Sequence, residues 1–280
     1  MRKLVGFIGT GSMGRTLVEA LIRSAALRPS EILVSNRTRS KAVELAGSHP
    51  GIRIADSNAS LVREADWVFL CVKPRDYRGV LDDIGSTVRS DQLIISITSP
   101  VMIRDLEAAL PSKIAKIIPS ITHADLAGTC LFTPGNRLSP RDREELIRLL
   151  STIGTPLEID EQYSRVASDL ASCGPAFLAH FLEQMVRAAG EVAGLPRETA
   201  IPLVIQMAQG TGQLLTRGGF TLESLQERVA VPGGVTREGL NLLERELHPV
   251  LIRLFRLTHA KFAKDVEGVQ QSLRSAGSNR

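Results

Sequence analysis

The chain has 280 residues, 43% hydrophobic and 23% charged, which is enough for a sizeable buried core and more than one typical domain. Its net charge of +4 comes from dispersed Lys and Arg, and aromatics make up only 4%, which argues against a nucleic-acid groove or a stacking platform for single strands. Cys71, Cys130 and Cys173 are far apart and the five histidines form no metal-like cluster, so no disulfide framework and no metal site are expected, and a reducing cytoplasm is implied.

The chain opens on a strand, residues 3–8, rather than a signal peptide, and no apolar run approaches a membrane span. That strand runs into Gly9-Thr-Gly11-Ser12-Met13-Gly14, a G-x-G-x-x-G segment leading directly into a helix predicted over 13–26. Between a strand and a helix these glycines have separate jobs. Gly9 permits the tight turn, Gly11 lets a pyrophosphate approach the backbone, and Gly14 lets the helix lie close to the strand. The N–H groups at Ser12 and Met13 then face an anion. A second strand, 31–35, ends in Ser35-Asn36-Arg37-Thr38. An acidic residue would take a ribose 2′-hydroxyl at this place; an arginine suits a 2′-phosphate, so NADP(H) is the expected cofactor, with NAD(H) admissible.

Further strands are predicted at 52–55, 67–72, 92–97 and 113–118, and further helices at 38–47, 58–64, 101–110 and 140–152. Runs such as Trp67-Val-Phe-Leu-Cys-Val72 are apolar throughout, so the sheet is buried on both faces, parallel and doubly wound. From about 161 strand-like runs vanish. Helical patterns take over at 161–172, 175–193, 197–217, 221–229 and 237–274. The expected organisation is an α/β Rossmann domain over 1–160, an all-helical domain over 161–275, and a polar tail over 276–280. His123 and His180 read as surface or partly buried polar residues, and Trp67 as core.

The helical half carries one segment with chemical promise, Val231-Pro232-Gly233-Gly234-Val235-Thr236. A tight turn opening into a helix can aim several N–H groups at a carboxylate, with the Thr236 hydroxyl beside them. The same residues also suit a plain turn in which Thr236 caps the helix.

Together with Asp66-Trp-Val-Phe-Leu-Cys-Val72-Lys73-Pro74 and Gly174-Pro175-Ala176-Phe177, these segments resemble the pyrroline-5-carboxylate reductase family along nearly the whole chain. The resemblance implies NAD(P)H-dependent reduction of the ring C=N of 1-pyrroline-5-carboxylate, or a closely related cyclic imino acid, to L-proline. It also implies a homodimer built by interleaved C-terminal helices, often assembled further. On this basis Cys71, Val72, Lys73 and Pro74 border the nicotinamide side, Asn58 lies near the adenosine side, and Ser120 stands beside the nicotinamide. Val231, Gly233, Gly234 and Thr236 form the substrate loop, with Thr236 as the catalytic donor.

Three segments depart from the usual family pattern: Thr98-Ser99-Pro100, Ile118-Pro119-Ser120-Ile121-Thr122, and Val231 where a serine is usual. The combination of Ser96-Ile-Thr-Ser-Pro100, Ile117-Ile-Pro-Ser-Ile-Thr122 and Val166-Ala-Ser-Asp-Leu-Ala-Ser-Cys-Gly-Pro175 resembles the ComER branch of the family more closely. A non-catalytic NADP(H)-binding regulator is the alternative that these departures raise. A β-hydroxyacid dehydrogenase is disfavoured, because that class needs a lysine in the first helix of its second domain and residues Tyr163 to Met185 contain none.

Overall fold

The computed structural model describes residues 3–274; the tail predicted over 276–280 lies outside the described residues. The first half alternates strand and helix: β1 (Val5–Ile8), α1 (Ser12–Arg23), β2 (Ile32–Ser35), α2 (Arg39–Ser48), β3 (Arg53–Ile54), α3 (Asn58–Glu64), β4 (Trp67–Leu70), α4 (Tyr77–Ile84), β5 (Leu93–Ser96), α5 (Ile103–Ala109) and β6 (Lys113–Ile118). Then follow β7 (Thr129–Pro134), α6 (Pro140–Leu150) and β8 (Thr155–Glu158). The eight strands form one sheet ordered β3-β2-β1-β4-β5-β6-β7-β8, parallel throughout except for the antiparallel β6–β7 pair. The first six strands therefore follow the doubly wound 3-2-1-4-5-6 order.

Alternate residues of the strands feed two cores. Val5 and Phe7 pack on one face with Leu17, Leu21 and Leu45, and Phe7 stacks on Phe69 with ring centroids 4.8 Å apart. Ile8, Val68 and Leu70 pack on the other face with Leu61, Tyr77 and Leu106. Trp67 is buried as expected, with the Lys3 ammonium 4.0 Å above its ring.

Three elements were absent from the sequence expectations. The helix α4 buries Tyr77, Val80, Leu81 and Ile84, an i, i+3, i+4, i+7 stripe that was readable but lay just after Pro74 and across Gly79. The strands β7 and β8 each contain a proline, Pro134 and Pro156, and β8 is an edge strand with Leu157 exposed.

Two buried groups shape the stability of this half. The Lys116 side chain is 1% exposed, and its Nζ donates to Glu161 Oε1 at 2.6 Å and to the Ser99 carbonyl at 3.1 Å. Burial pulls the Lys116 pKa down, and the Glu161 carboxylate opposes that pull. His123, expected at or near the surface, is instead fully buried. Its Nδ1 lies 3.1 Å from the carbonyl oxygens of both Ala127 and Ile153, so Nδ1 carries the proton, while Nε2 is buried without a partner among the described residues.

Burial lowers the His123 pKa, with the two carbonyl contacts opposing it. As pH falls below about 6.5, the unfolded chain takes up this proton before the folded chain does, so folded stability drops with falling pH. A His123→Gln variant is expected to lose part of that acid sensitivity. Thermal unfolding between pH 8 and pH 5 measures the difference, and equal slopes for the two proteins would contradict it.

The helical half contains α7 (Ser164–Ser168), a π-helical segment over Asp169–Cys173, α8 (Gly174–Ala193), α9 (Arg197–Arg217), α10 (Leu222–Val229) and α11 (Val235–Arg274). Compact packing divides the chain differently from the expected boundary at 160/161. One unit comprises Met1–Cys173 with Thr258–Arg280, and the other comprises Gly174–Leu257.

The reason lies in the last part of α11, which packs within the first unit. Val269 is buried in the second core, and Arg78 donates to the Leu273 carbonyl at 3.1 Å. Asp169, fully buried, pairs with Arg165 at 2.7 Å and accepts the Thr258 hydroxyl at 2.7 Å. Arg165 also reaches Cys173 Sγ at 3.2 Å. No helix among the described residues is long and apolar enough to cross a membrane.

Candidate functional site

The strand order places β1 between β2 and β4, so the turns after these three strands line one cleft of about 690 Å³. That volume falls in the range of small-molecule and cofactor sites. Gly9 occupies φ +100° and donates its N–H to the Ser35 carbonyl at 2.8 Å. A side chain at Gly9 would lie 2.6 Å from the Cys71 carbonyl oxygen, and one at Gly14 would overlap the Gly9 carbonyl oxygen. Gly11 caps α1 without any side-chain bond and has nothing within 4 Å of where a Cβ would sit. The start of α1 is thus a set of backbone donors facing open space. Beside it, Thr10 Oγ1 is buried and has no partner among the described residues, while Thr10 N donates to Asn36 Oδ1 at 2.9 Å. An open cradle with an unpartnered buried hydroxyl fits a pyrophosphate.

The polar residues at the end of β2 are occupied. Ser35 Oγ donates to Asn58 Oδ1 at 2.8 Å, and Asn58 Nδ2 donates to Asp83 at 3.0 Å. Asn36 Nδ2 donates to the Thr38 carbonyl at 2.9 Å. Arg37 crosses to Asp76, with Nη1 to Oδ1 at 2.9 Å. Burial pushes the Cys71 thiol up, so it is a packing group rather than a nucleophile.

Of the residues expected at a cofactor, Gly9, Gly11, Ser35, Asn36, Arg37, Thr38, Asn58, Cys71, Val72 and Lys73 all line this one cleft. Ser12, Met13 and Gly14 stand in the first turn of α1 and Pro74 follows Lys73, all outside the cleft lining. Ser120 is fully buried, and its hydroxyl accepts from Thr122 N at 3.4 Å and Thr122 Oγ1 at 3.0 Å. Asp76 and Asp83 were missed; both belong to the α4 region that the sequence expectations lacked.

In the other unit, Gly233 occupies φ +72° and Gly234 N donates to the Val231 carbonyl at 3.0 Å, closing the expected turn. The helix α11 begins at Val235, two residues earlier than expected, so Thr236 is inside its first turn. Thr236 is half-buried, and its hydroxyl makes no hydrogen bond among the described residues. It is therefore not spent as a helix cap. Arg237 Nη2 braces the turn by donating to the Ala230 carbonyl at 3.0 Å. Val231 is 59% exposed, an apolar group on a turn otherwise rich in donors.

A doubly wound sheet with this glycine cradle, followed by an all-helical segment, defines a Rossmann-type dinucleotide-binding protein. Residues 4–100 match the family model described as NADP oxidoreductase, coenzyme F420-dependent, and residues 161–264 match that described as pyrroline-5-carboxylate reductase dimerisation. ComE operon protein 4 of Bacillus subtilis is 39% identical over 95% of this chain and 98% of its own length. Pyrroline-5-carboxylate reductase of Methanosarcina acetivorans is 29% identical over 86% of this chain and 89% of its own. The pyrroline-5-carboxylate reductase structure from Coxiella burnetii shares the fold with a TM-score of 0.82 at 24% identity, covering 97% of this chain and 99% of that one. This chain belongs to the pyrroline-5-carboxylate reductase family, on its ComER-like branch.

Proposed function

We propose that this protein uses NADPH to reduce the C=N bond of 1-pyrroline-5-carboxylate, or of a closely related cyclic imino acid, to proline or its analogue. The observation that carries this reading is the unspent Thr236 hydroxyl at the mouth of α11, beside a turn that offers Gly233 and Gly234 backbone donors, in a chain of this family. The dinucleotide, when bound, supplies the hydride. The donors at the start of α1 hold its pyrophosphate, and Arg37 meets its 2′-phosphate.

The turn at 233–234 orients the substrate carboxylate, and the Thr236 hydroxyl oxygen accepts from the protonated ring nitrogen. A protonated C=N accepts hydride far better than a neutral one. A threonine hydroxyl is a poor acid, so Thr236 acts as a positioning hydrogen-bond partner that touches substrate. The exposed apolar residues of the helical unit, among them Leu178, Phe181, Leu203, Leu242 and Leu251, support a homodimer through these helices.

Losing one hydrogen bond to a charged group costs about 1.5–3 kcal/mol, or about 10- to 150-fold in rate. Thr236→Ala is therefore expected to lower kcat/KM for 1-pyrroline-5-carboxylate at least about tenfold. NADPH oxidation by the purified protein measures this, and unchanged kinetics would remove Thr236 from the reaction. A second reading, an NADP(H)-binding regulator without turnover, draws on Val231 in the substrate turn and on the ComE operon relative. NADPH binding with no oxidation by any cyclic imine would favour it.

A further inference from the structure

We infer that Asp76 moderates cofactor selectivity, acting as an internal counter-ion that a 2′-phosphate must displace from Arg37. This rests on the NADP(H) reading above. No carboxylate comes from the end of β2, where Ser35 and Asn36 are neutral and already bonded. The acid instead reaches Arg37 from the turn that leads into α4, on the opposite wall of the cleft. Lys41, Lys73 and Arg75 line the same cleft with no carboxylate partner among the described residues. The cation adjoining the end of β2 is the one that is held.

The geometry has opposite consequences for the two cofactors. A 2′-phosphate brings nearly two negative charges into competition with the Asp76 carboxylate for one guanidinium. A 2′-hydroxyl brings none, and leaves the ion pair intact. The Arg37 side chain is 80% exposed and Asp76 25%, so the pair opens at small cost and its effect is sensitive to salt. Asp76 therefore moderates a preference for the phosphorylated cofactor that Arg37 creates. Its removal sharpens that preference. The side chain caps no helix terminus by hydrogen bonding, so Asp76→Asn preserves local structure.

Fluorescence titration of NADPH and NADH, on the full chain and its variants, tests this. Asp76→Asn is expected to tighten NADPH about two- to fivefold and to leave NADH essentially unchanged. The gain should vanish in an Arg37→Ala background and shrink in high salt, and Asp76→Glu should keep the wild-type ratio. Equal changes for both cofactors, no change, or a gain that persists without Arg37 would each overturn the inference. So would an Asp76→Glu protein that behaves like Asp76→Asn. If the wild-type protein binds NADPH but these variants fail the pattern, the inference alone falls; if it binds neither cofactor, the cofactor reading falls and takes the inference with it.

Discussion

Gly14→Ala is expected to weaken NADPH binding by about a hundredfold while leaving the chain folded. The added methyl would overlap the Gly9 carbonyl oxygen and lie 3.1 Å from Cys71 Cβ. Gly9 cannot easily give way, because its N–H is tied to the Ser35 carbonyl and its backbone sits at φ +100°. Either α1 or the turn must shift, and the donors at the start of α1 move with it. A misplacement of about 1 Å in a positioning element is enough for losses of this size. Ser12→Ala, two residues earlier in the same first turn of α1 and exposed, supplies the control and should bind within a few-fold of wild type. A Gly14→Ala protein with wild-type affinity would show that the close approach of α1 to β1 serves packing alone.

The second large effect concerns stability. Glu161→Ala strips the buried Lys116 ammonium of its carboxylate and the Ile103 N–H of its acceptor at 2.9 Å. Breaking a buried pair on one side costs about 3–5 kcal/mol. For a protein of this size that is a fall in Tm of about 6–20 °C.

Replacing the pair outright is different: Lys116→Met combined with Glu161→Gln should recover most of the loss, since an apolar substitute needs no charge partner. The pH dependence provides a separate check. Burial already depresses the Lys116 pKa, and losing Glu161 depresses it further. The unfolded lysine keeps its proton up to about pH 10.4, so stability of the single variant rises with pH as the folded lysine sheds its own. Its deficit against wild type should therefore narrow between pH 7 and pH 10. A constant deficit would mean that the ammonium is not the source of the cost.

The sheet was legible wherever a strand is buried on both faces. Five of the first six strands carry apolar runs, with glycine or polar residues marking their ends; β3 is only Arg53–Ile54 and partly exposed. The edge strand β8 hides because only Leu157 is apolar and Pro156 interrupts it. The glycine cradle was legible because its demands are local: φ at Gly9, clearance at Gly14, open space at Gly11. Asp76 and Asp83 were not, because they reach the cleft across the fold rather than along the chain. For Thr236 the pattern allowed both a helix cap and a free hydroxyl. Only the helix start at Val235 separates the two.

The Asp169–Thr258 bond has a consequence for how the protein is made. The nucleotide-binding part is discontinuous along the chain: the helical unit is spliced into it between Cys173 and Thr258. When residue 173 leaves the ribosome, the segment carrying Val269 and Thr258 does not yet exist. At about 5–20 residues per second, the 84 residues of Gly174–Leu257 impose a delay of about 4–17 seconds. During that interval Asp169 and Arg165 wait with an unfinished surface around them, and the first part of the chain behaves as an incomplete domain. Thr258 closes it late, so residues that follow the helical unit complete a fold begun by residues that precede it.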